Sequence, residues 1–500
     1  MRSVIGAVSQ SPGPRPRYRD SMVLAAAEVF AGLPPARQDG AALLASIRAM
    51  RAADGMLLGV LDDDPTGSQA VHGVQVVTVL DDDVYPAALG GAARTCFVLT
   101  NSRSVGERDA ARLTTRAARG LVAAARRLGA PIDLVSRSDS TLRGHVLAEV
   151  AALAAVRREA TGRAVDAVLL VPAFIEAGRL TAADIHWART PSGLVPVGET
   201  EFARDPVFGY AASDLRAFVA EKSGGAIGRD GIASIGLADI RTGGPSRVRE
   251  LLAGLHDGTW VVVNAVEYSD LETVACGVRA AERAGKSFLF RTGPSFVRAL
   301  AGLEPKPPLR GEQLVAGPGR GQHGLIVVGS HVAQTSRQVA DLRARGGTAG
   351  VELDVPAVIG GTSDVVAAAA RRVTDALGRS DVLLYTSRAF VPGGGADPLA
   401  AGRAVSAALA RIVRDALAVR PAWIIAKGGI TSHDVATRGL GIRRAEVAGQ
   451  IFPGLVSVFR PVDAAPAAMG MPYVVFPGNV GDDQALAHVA AILTDGHRAH

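Results

Sequence analysis

The sequence is 500 residues long, 48% hydrophobic but only 4% aromatic, and carries 54 Lys and Arg against 48 Asp and Glu for a net charge of +6. That length exceeds one ordinary core and predicts two domains of roughly two hundred residues each, built from Ala, Val, Leu and Ile, as suits helices stacked on parallel strands. The composition excludes three classes: no run of about eighteen apolar residues could span a membrane, no basic block is interleaved with stacking aromatics for nucleic acid, and no His/Cys cluster has transition-metal spacing.

Residues 1–55 read as an N-terminal extension, a basic tail followed by helical stretches. Arg2, Arg15, Arg17 and Arg19 precede the apolar Met22 to Ala27, superficially like a signal peptide, but the run is short and passes straight into Glu28 and an amphipathic helix, so export is not expected. Residues 56–304 alternate strand and helix. Met56 to Leu61 is an apolar strand that ends in Asp62-Asp63-Asp64-Pro65-Thr66-Gly67. Val74 to Leu80 is a second strand, and Asp81-Asp82-Asp83 after it reads as a solvated loop. Thr95 to Thr100 leads into Asn101-Ser102-Arg103-Ser104 and a helix of about 24 residues from Val105, whose Arg112, Arg116, Arg119, Arg126 and Arg127 suit a solvated face. Ile132 to Val135 leads into a polar turn from Ser136 to His145. Further strands are read at Val165 to Val171, Trp260 to Asn264 and Ser287 to Phe290.

The Pro-, Gly- and charge-rich residues 305–324 form the linker. Within it, Gly319-Arg320-Gly321-Gln322-His323-Gly324 has dinucleotide-loop spacing. It precedes a strand instead of following one, so it reads as linker. Residues 325–500 form the second domain, with strands at Leu325 to Val328, Val382 to Tyr385, Trp423 to Ala426 and Pro472 to Phe476 and a closing helix from Asp482. Cys96 and Cys276 lie apart in apolar runs and read as free buried thiols, which fits a reducing cytoplasm. The fold class is α/β: two domains, each a largely parallel sheet flanked by helices, with the active site in the cleft between them.

Three polar turns carry the chemistry. Unpaired carboxylates cannot sit in a core, and the first aspartate triple is set apart from Asp81 to Asp83 by the hydroxyl and permissive backbone of Pro65-Thr66-Gly67. In the second turn Arg137, Ser138, Asp139, Ser140, Thr141 and Arg143 crowd together, and Arg103 joins from the neighbouring strand. Arginine forks match carboxylates and hydroxyl side chains match sugar hydroxyls, so a polyhydroxy acid suits this loop. In the second domain, Gly329-Ser330-His331, Lys427 to Ser432 and Pro477 to Asp483 each follow a strand and precede a helix, where backbone N–H groups hold phosphates. No Walker A sequence is present.

In this order, the motifs Asp63-Asp64-Pro65-Thr66-Gly67, Asn101-Ser102-Arg103, Asp139 to Gly144, Pro172-Ala173-Phe174 with Gly178-Arg179, Arg291-Thr292-Gly293, Gly329-Ser330, Gly428 to Ser432 and Pro477 to Gly481 resemble the four-carbon acid sugar kinase family. The resemblance runs from about Leu57 to the end of the chain. It implies an ATP- and Mg²⁺-dependent kinase of carbohydrate catabolism acting on threonate, erythronate or a 3-oxo-tetronate. Substrate contacts would fall on Asp63, Arg103, Ser138, Asp139, Ser140 and Thr141, and nucleotide contacts on Ser330, Gly428, Gly429, Ile430, Thr431, Gly478, Asn479 and Gly481. Asp63 or Asp64 would orient or deprotonate the acceptor hydroxyl, with Arg103 and Arg143 on the substrate carboxylate and the developing charge. No residue is assigned to the metal. The expected partners are the sugar acid and ATP, with a homodimer allowed. Arg137 where many members carry Lys, His331, the additional Asp62 and residues 1–55 depart from the family pattern, which leaves open which acid is taken, a branched one such as 3-oxo-isoapionate included. Two other classes compete: a haloacid dehalogenase-type phosphatase using Asp62 and Asp64, and a non-catalytic sugar-acid binding protein.

Overall fold

The computed structural model describes residues 23–498 except 65, 66, 69, 316, 318, 319, 331, 388–397, 453 and 479. The first-domain strands are β1 (Leu57–Asp62), β2 (Gln75–Val77), β3 (Thr95–Leu99), β4 (Ile132–Arg137), β5 (Ala167–Val171), β6 (Arg179–Ala182), β7 (Ile185–Thr190), β8 (Gly193–Pro196), β9 (Ala233–Ile235), β10 (Thr259–Val263) and β11 (Phe288–Thr292). The second-domain strands are β12 (Leu325–Val328), β13 (Thr348–Leu353), β14 (Asp381–Thr386), β15 (Ile424–Lys427), β16 (Arg444–Phe452), β17 (Val456–Asp463) and β18 (Tyr473–Phe476). Helices cover both faces of the sheet, so β1, β3, β4 and β5 are buried at every position. That burial is why β1, β3 and β5 are near-continuous apolar runs instead of alternating ones, whereas β4 also buries Asp133, Ser136 and Arg137.

The strands form one 15-stranded sheet in the order β13, β14, β12, β15, β18, β17, β16, β2, β3, β1, β4, β11, β5, β10, β9. Strands β2, β3, β1, β4, β11, β5, β10 and β9 are mutually parallel, as are β13, β14, β12, β15 and β18. The β16–β17 hairpin joins the two sets by antiparallel pairing at both of its edges. This bridge is not among the elements expected from the sequence. Three antiparallel steps make the two sets run in opposite directions, so a flat sheet would send their C-terminal ends to opposite edges. Six neighbour steps separate β1 from β15, and a twist of roughly 20–25° at each, with register shifts in the hairpin that bend it, turns the two sets of C-terminal ends into one cleft.

Two further features bear on the cleft. Strands β6, β7 and β8 form a separate antiparallel sheet that the sequence reading missed. Ala183 and Asp184, both at positive φ, make its first turn, and this pair lacks the Asn-Gly signature that marks such hairpins. The helix Gly40–Asp54 belongs to the first-domain core: Ile47 is buried in it, and Arg51 donates to Ala301 O and, at 3.2 Å, to Thr95 Oγ1.

Candidate active site

Register places the acidic turn. Asp62 closes β1 opposite Leu99 of β3 and Arg137 of β4, which sets Asp62 to Asp64 beside Arg103 and the Ser136 to His145 loop. Asp62 is 0% exposed, paired with Arg137 Nη1 at 2.9 Å, and accepts from the Asp64 N–H at 3.1 Å. A Cβ on Gly67 would stand 1.8 Å from Asp62 Oδ2 and 2.3 Å from Arg137 Nη1, so only glycine closes the turn over this pair. Burial pushes the Asp62 carboxyl up to about 7, against the pull of Arg137. A phosphatase nucleophile must be reachable, and Asp62, tied to Arg137, lines neither cavity of the cleft, whereas Asp63 and Asp64 do.

Asp63 is also buried, at 1%, and neither of its oxygens accepts a hydrogen bond among the described residues. Arg103 Nε lies 3.7 Å and Arg137 Nη1 3.9 Å away. Burial raises its carboxyl to about 6; Glu149 adds to the rise while Arg103, Arg291 and Arg137 oppose it. Asp64 is 25% exposed at the cleft and pairs with Arg103. The second triple, Asp81 to Asp83, is solvent-exposed, as the sequence reading expected. Asp83 pairs with Arg443 at 2.8 Å.

The second turn is internally paired. Asp139 accepts from Arg143 Nε at 2.7 Å and from the Thr141 hydroxyl, with Arg103 Nη1 3.7 Å away. Burial opposes its ionisation, yet Arg103 and Arg143 hold its carboxyl well below the usual range. The Ser138 N–H donates to Thr292 O at 2.8 Å. Tyr210 OH donates to Thr141 O at 2.6 Å. His186 Nε2 lies 2.8 Å from Ser140 O, and burial pushes this imidazole down to about 4, so it is neutral at pH 7 and donates there while Nδ1, 2.9 Å away, accepts from Thr181. Leu142 at φ 66 completes the turn.

Across the cleft, β12, β15 and β18 are adjacent, so the three glycine loops lie side by side. Gly428, at φ 110, donates to Phe476 O at 2.8 Å and accepts from the Ser432 N–H at 2.8 Å. Thr335 Oγ1 donates to Gly478 O at 2.8 Å and approaches Ser330 Oγ at 3.3 Å. Ser330, Gly428, Gly429, Thr431 and Gly478 therefore gather at one place, with Gly481 at the edge of the cleft and Ile430 61% exposed beside it. Pro65, Thr66, His331 and Asn479, named from the sequence, lie outside the described residues. Lys427, the last residue of β15, has no side-chain role among those expected from the sequence. It is fully buried, donates to Pro477 O at 2.9 Å and lies 3.9 Å over the Phe476 ring, and burial pushes its ammonium down to about 7. A lysine that ends an apolar strand directly before Gly-Gly was the available signal.

Gly428→Ala is expected to weaken ADP binding about tenfold, since a side chain at this φ is strained and the loop donors would shift by enough to lose ~1–2 kcal/mol. Calorimetric titration with ADP checks this, and an unchanged affinity would remove the loop from nucleotide binding.

The two halves line common cavities. A Cβ on Gly429 would stand 3.8 Å from Asp64 Oδ1. One cavity of about 340 Å³ joins Asp63, Asp64, Arg103 and Arg143 to Gly429 and Ile430. A second, of about 380 Å³, joins Asp139, Ser140, Thr141, Arg143, Arg179 and Phe202 to Pro477 and Gly481. A larger groove of about 750 Å³ runs between Asp81 and the helix Glu107–Arg127, but it takes no residue from either set of loops.

Residues 58–300 match the family model of a sugar-binding N-terminal domain, and residues 325–486 match that of a nucleotide-binding C-terminal domain. A D-erythronate kinase from Heliobacterium modesticaldum (strain ATCC 51547 / Ice1) is 28% identical over 308 residues, 60% of this chain and 63% of the kinase. The chain thus spans less than two thirds of that relative's length. A Haemophilus influenzae protein of the DUF1537 family superposes with a TM-score of 0.59 at 19% identity, over 87% of this chain and 100% of that one. A Salmonella typhimurium LT2 protein solved under a provisional tRNA synthase name superposes at 0.65 with 18% identity, over 86% and 98%. At such identities the likeness is one of fold alone.

Proposed function

Because this chain belongs to the four-carbon acid sugar kinase family, whose sugar-binding and nucleotide-binding domains it matches in order, we propose that it transfers the γ-phosphoryl group of ATP to a hydroxyl of a four-carbon sugar acid such as threonate, erythronate or a 3-oxo-tetronate. The observation that carries this reading is the cavity lined by Asp63 and Asp64 of one domain and by Gly429 and Ile430 of the other, which brings the carboxylates of one domain across from the glycine loops of the other.

Phosphoryl transfer is mainly positioning and charge neutralisation. The acceptor hydroxyl sits at the acidic turn, where Asp63 accepts its proton: a carboxyl near 6 is ionised at neutral pH and still basic enough to take a proton as the bond forms. Asp64, on the nucleotide side, orients the hydroxyl toward the γ-phosphate. Arg103 and Arg143, tied to Asp64 and Asp139, present fixed positive charge to the transferring group. Ser330 and the Gly428 and Gly478 turns hold the phosphates with backbone N–H groups. Mg²⁺ needs only one or two carboxylates besides phosphate oxygens, a demand Asp64 fits, and when bound it neutralises phosphate charge.

The test is a panel of tetronates and 3-oxo-tetronates with ATP and Mg²⁺. ADP release that depends on one of the acids supports the reading. Phosphate release from a generic ester, or acid binding without turnover, would overturn it.

A further inference from the structure

Arg103, Arg137 and Arg143 all line the 380 Å³ cavity, and each is tied to a carboxylate of the protein: Asp64, Asp62 and Asp139. A fourth arginine, Arg179, lines the same cavity at the start of β6. Among the described residues no carboxylate lies within ion-pair distance of it. Its Nη1 donates to Ala177 O, while its Nε is buried and makes no hydrogen bond among the described residues. The Nε–Nη2 edge therefore keeps the two parallel donors with which a guanidinium grips a carboxylate bidentately.

Its position is built, not incidental. The backbone is held in register by paired hydrogen bonds between Phe174 and Arg179, at 3.0 and 2.9 Å. The Phe202 ring lies beneath the guanidinium at 5.8 Å and beneath that of Arg143 at 5.1 Å, an arrangement that orients a cation without neutralising it. An arginine half-withdrawn from water with no counter-charge is costly, and burial accordingly lowers its pKa with only partial relief from the more distant Asp139. An anionic ligand would relieve that cost.

We propose that Arg179 is the carboxylate receptor of the acceptor site, so that the protein selects a hydroxy acid over the corresponding neutral polyol. This rests on the kinase reading only for the identity of the acceptor; Arg103 and Arg143 are left to the reacting end. The second-domain residues Pro477 and Gly481, which border the same cavity, set the distance from this anchor to the phosphoryl donor.

The experiment measures binding without turnover. The full-length protein and its Arg179→Gln and Arg179→Lys variants are titrated calorimetrically with erythronate, threonate and erythritol, and separately with ADP. Losing a charge-assisted bidentate contact should weaken acid binding roughly 10- to 100-fold. Erythritol and ADP binding should be unchanged, and Arg179→Lys should fall between wild type and Gln. The acid-to-polyol ratio is the readout that a merely structural role would not move. Equal acid affinity in wild type and Arg179→Gln, a parallel loss for acid and erythritol, or no binding of either acid by wild type would overturn the inference. Arg179-dependent acid binding with no ATP turnover would uphold the receptor and overturn only the kinase reading.

Discussion

Asp63→Asn is expected to lower kcat by about 10²–10⁴-fold, the range for loss of a positioned general base, while the protein stays folded. Asn matches the shape of Asp. The native site also holds the Asp63 carboxyl at about 6, above its ordinary value. The sign matters: a carboxylate whose folded pKa exceeds its unfolded one disfavours folding at neutral pH, and that penalty eases as pH falls through about 6 toward 4. Removing the charge therefore takes away a cost. In wild type, kcat/KM should fall as pH drops below about 6, and this acid limb should vanish in the variant. Beneath the turn, Glu149 accepts from Ser102 at 2.5 Å and Ser136 at 3.1 Å and pairs with buried Arg291. Glu149→Gln should move the limb to lower pH, since Glu149 is one of the causes that raise Asp63. Steady-state pH profiles with thermal melts decide the matter. An unchanged kcat in both Asp63→Asn and Asp64→Asn would remove the acidic turn from catalysis.

The second large effect lies at the opposite edge of the sheet. Arg279, on the helix Tyr268–Arg283, is 2% exposed and pairs with Asp133 at 2.5 Å and Glu282 at 2.9 Å, with Arg157 3.9 Å from Asp133. Asp133 pairs in register with Leu58 near the start of β1, so the cluster is remote from the C-terminal ends that line the cleft. Arg279→Met would take from Glu282 its ion-pair partner among the described residues and leave Asp133 with only Arg157, 3.9 Å away. Breaking a buried pair from one side costs about 3–5 kcal/mol, whereas replacing both partners with apolar groups can be neutral. Urea unfolding should show a loss of that size for Arg279→Met, and Arg279→Met/Asp133→Leu should recover part of it. Burial already raises the Glu282 carboxyl against the pull of Arg279, so in the single variant it protonates more readily and the deficit should shrink as pH falls. A loss under about 1 kcal/mol would show that the cluster is solvated.

By itself the sequence determined the elements whose signal is local. Leu325 to Val328, read as a strand from four consecutive apolar residues, is β12 to the residue, and the helix expected from Val105 spans Glu107–Arg127, with Ala110, Thr114, Ala117, Ala118 and Leu121 buried along one face. The polar turns were equally legible, because hydroxyls, arginines and glycines crowd together after a buried strand there, as they do not at the solvated Asp81 to Asp83. Long-range pairing decided the rest. The bulged β16–β17 hairpin and the β6–β8 sheet were missed, since their turns carry no Asn-Gly signal and their pairing depends on neighbours far off in sequence. The three consecutive aspartates look alike in one dimension. Only the arginines brought from β4 and from the turn after β3 make Asp62 a buried strut, Asp63 a raised carboxyl and Asp64 the residue facing the second domain. The same holds for Arg179, because which arginine of a cavity keeps a free fork follows from where every carboxylate stands, and that is settled only when the chain has folded.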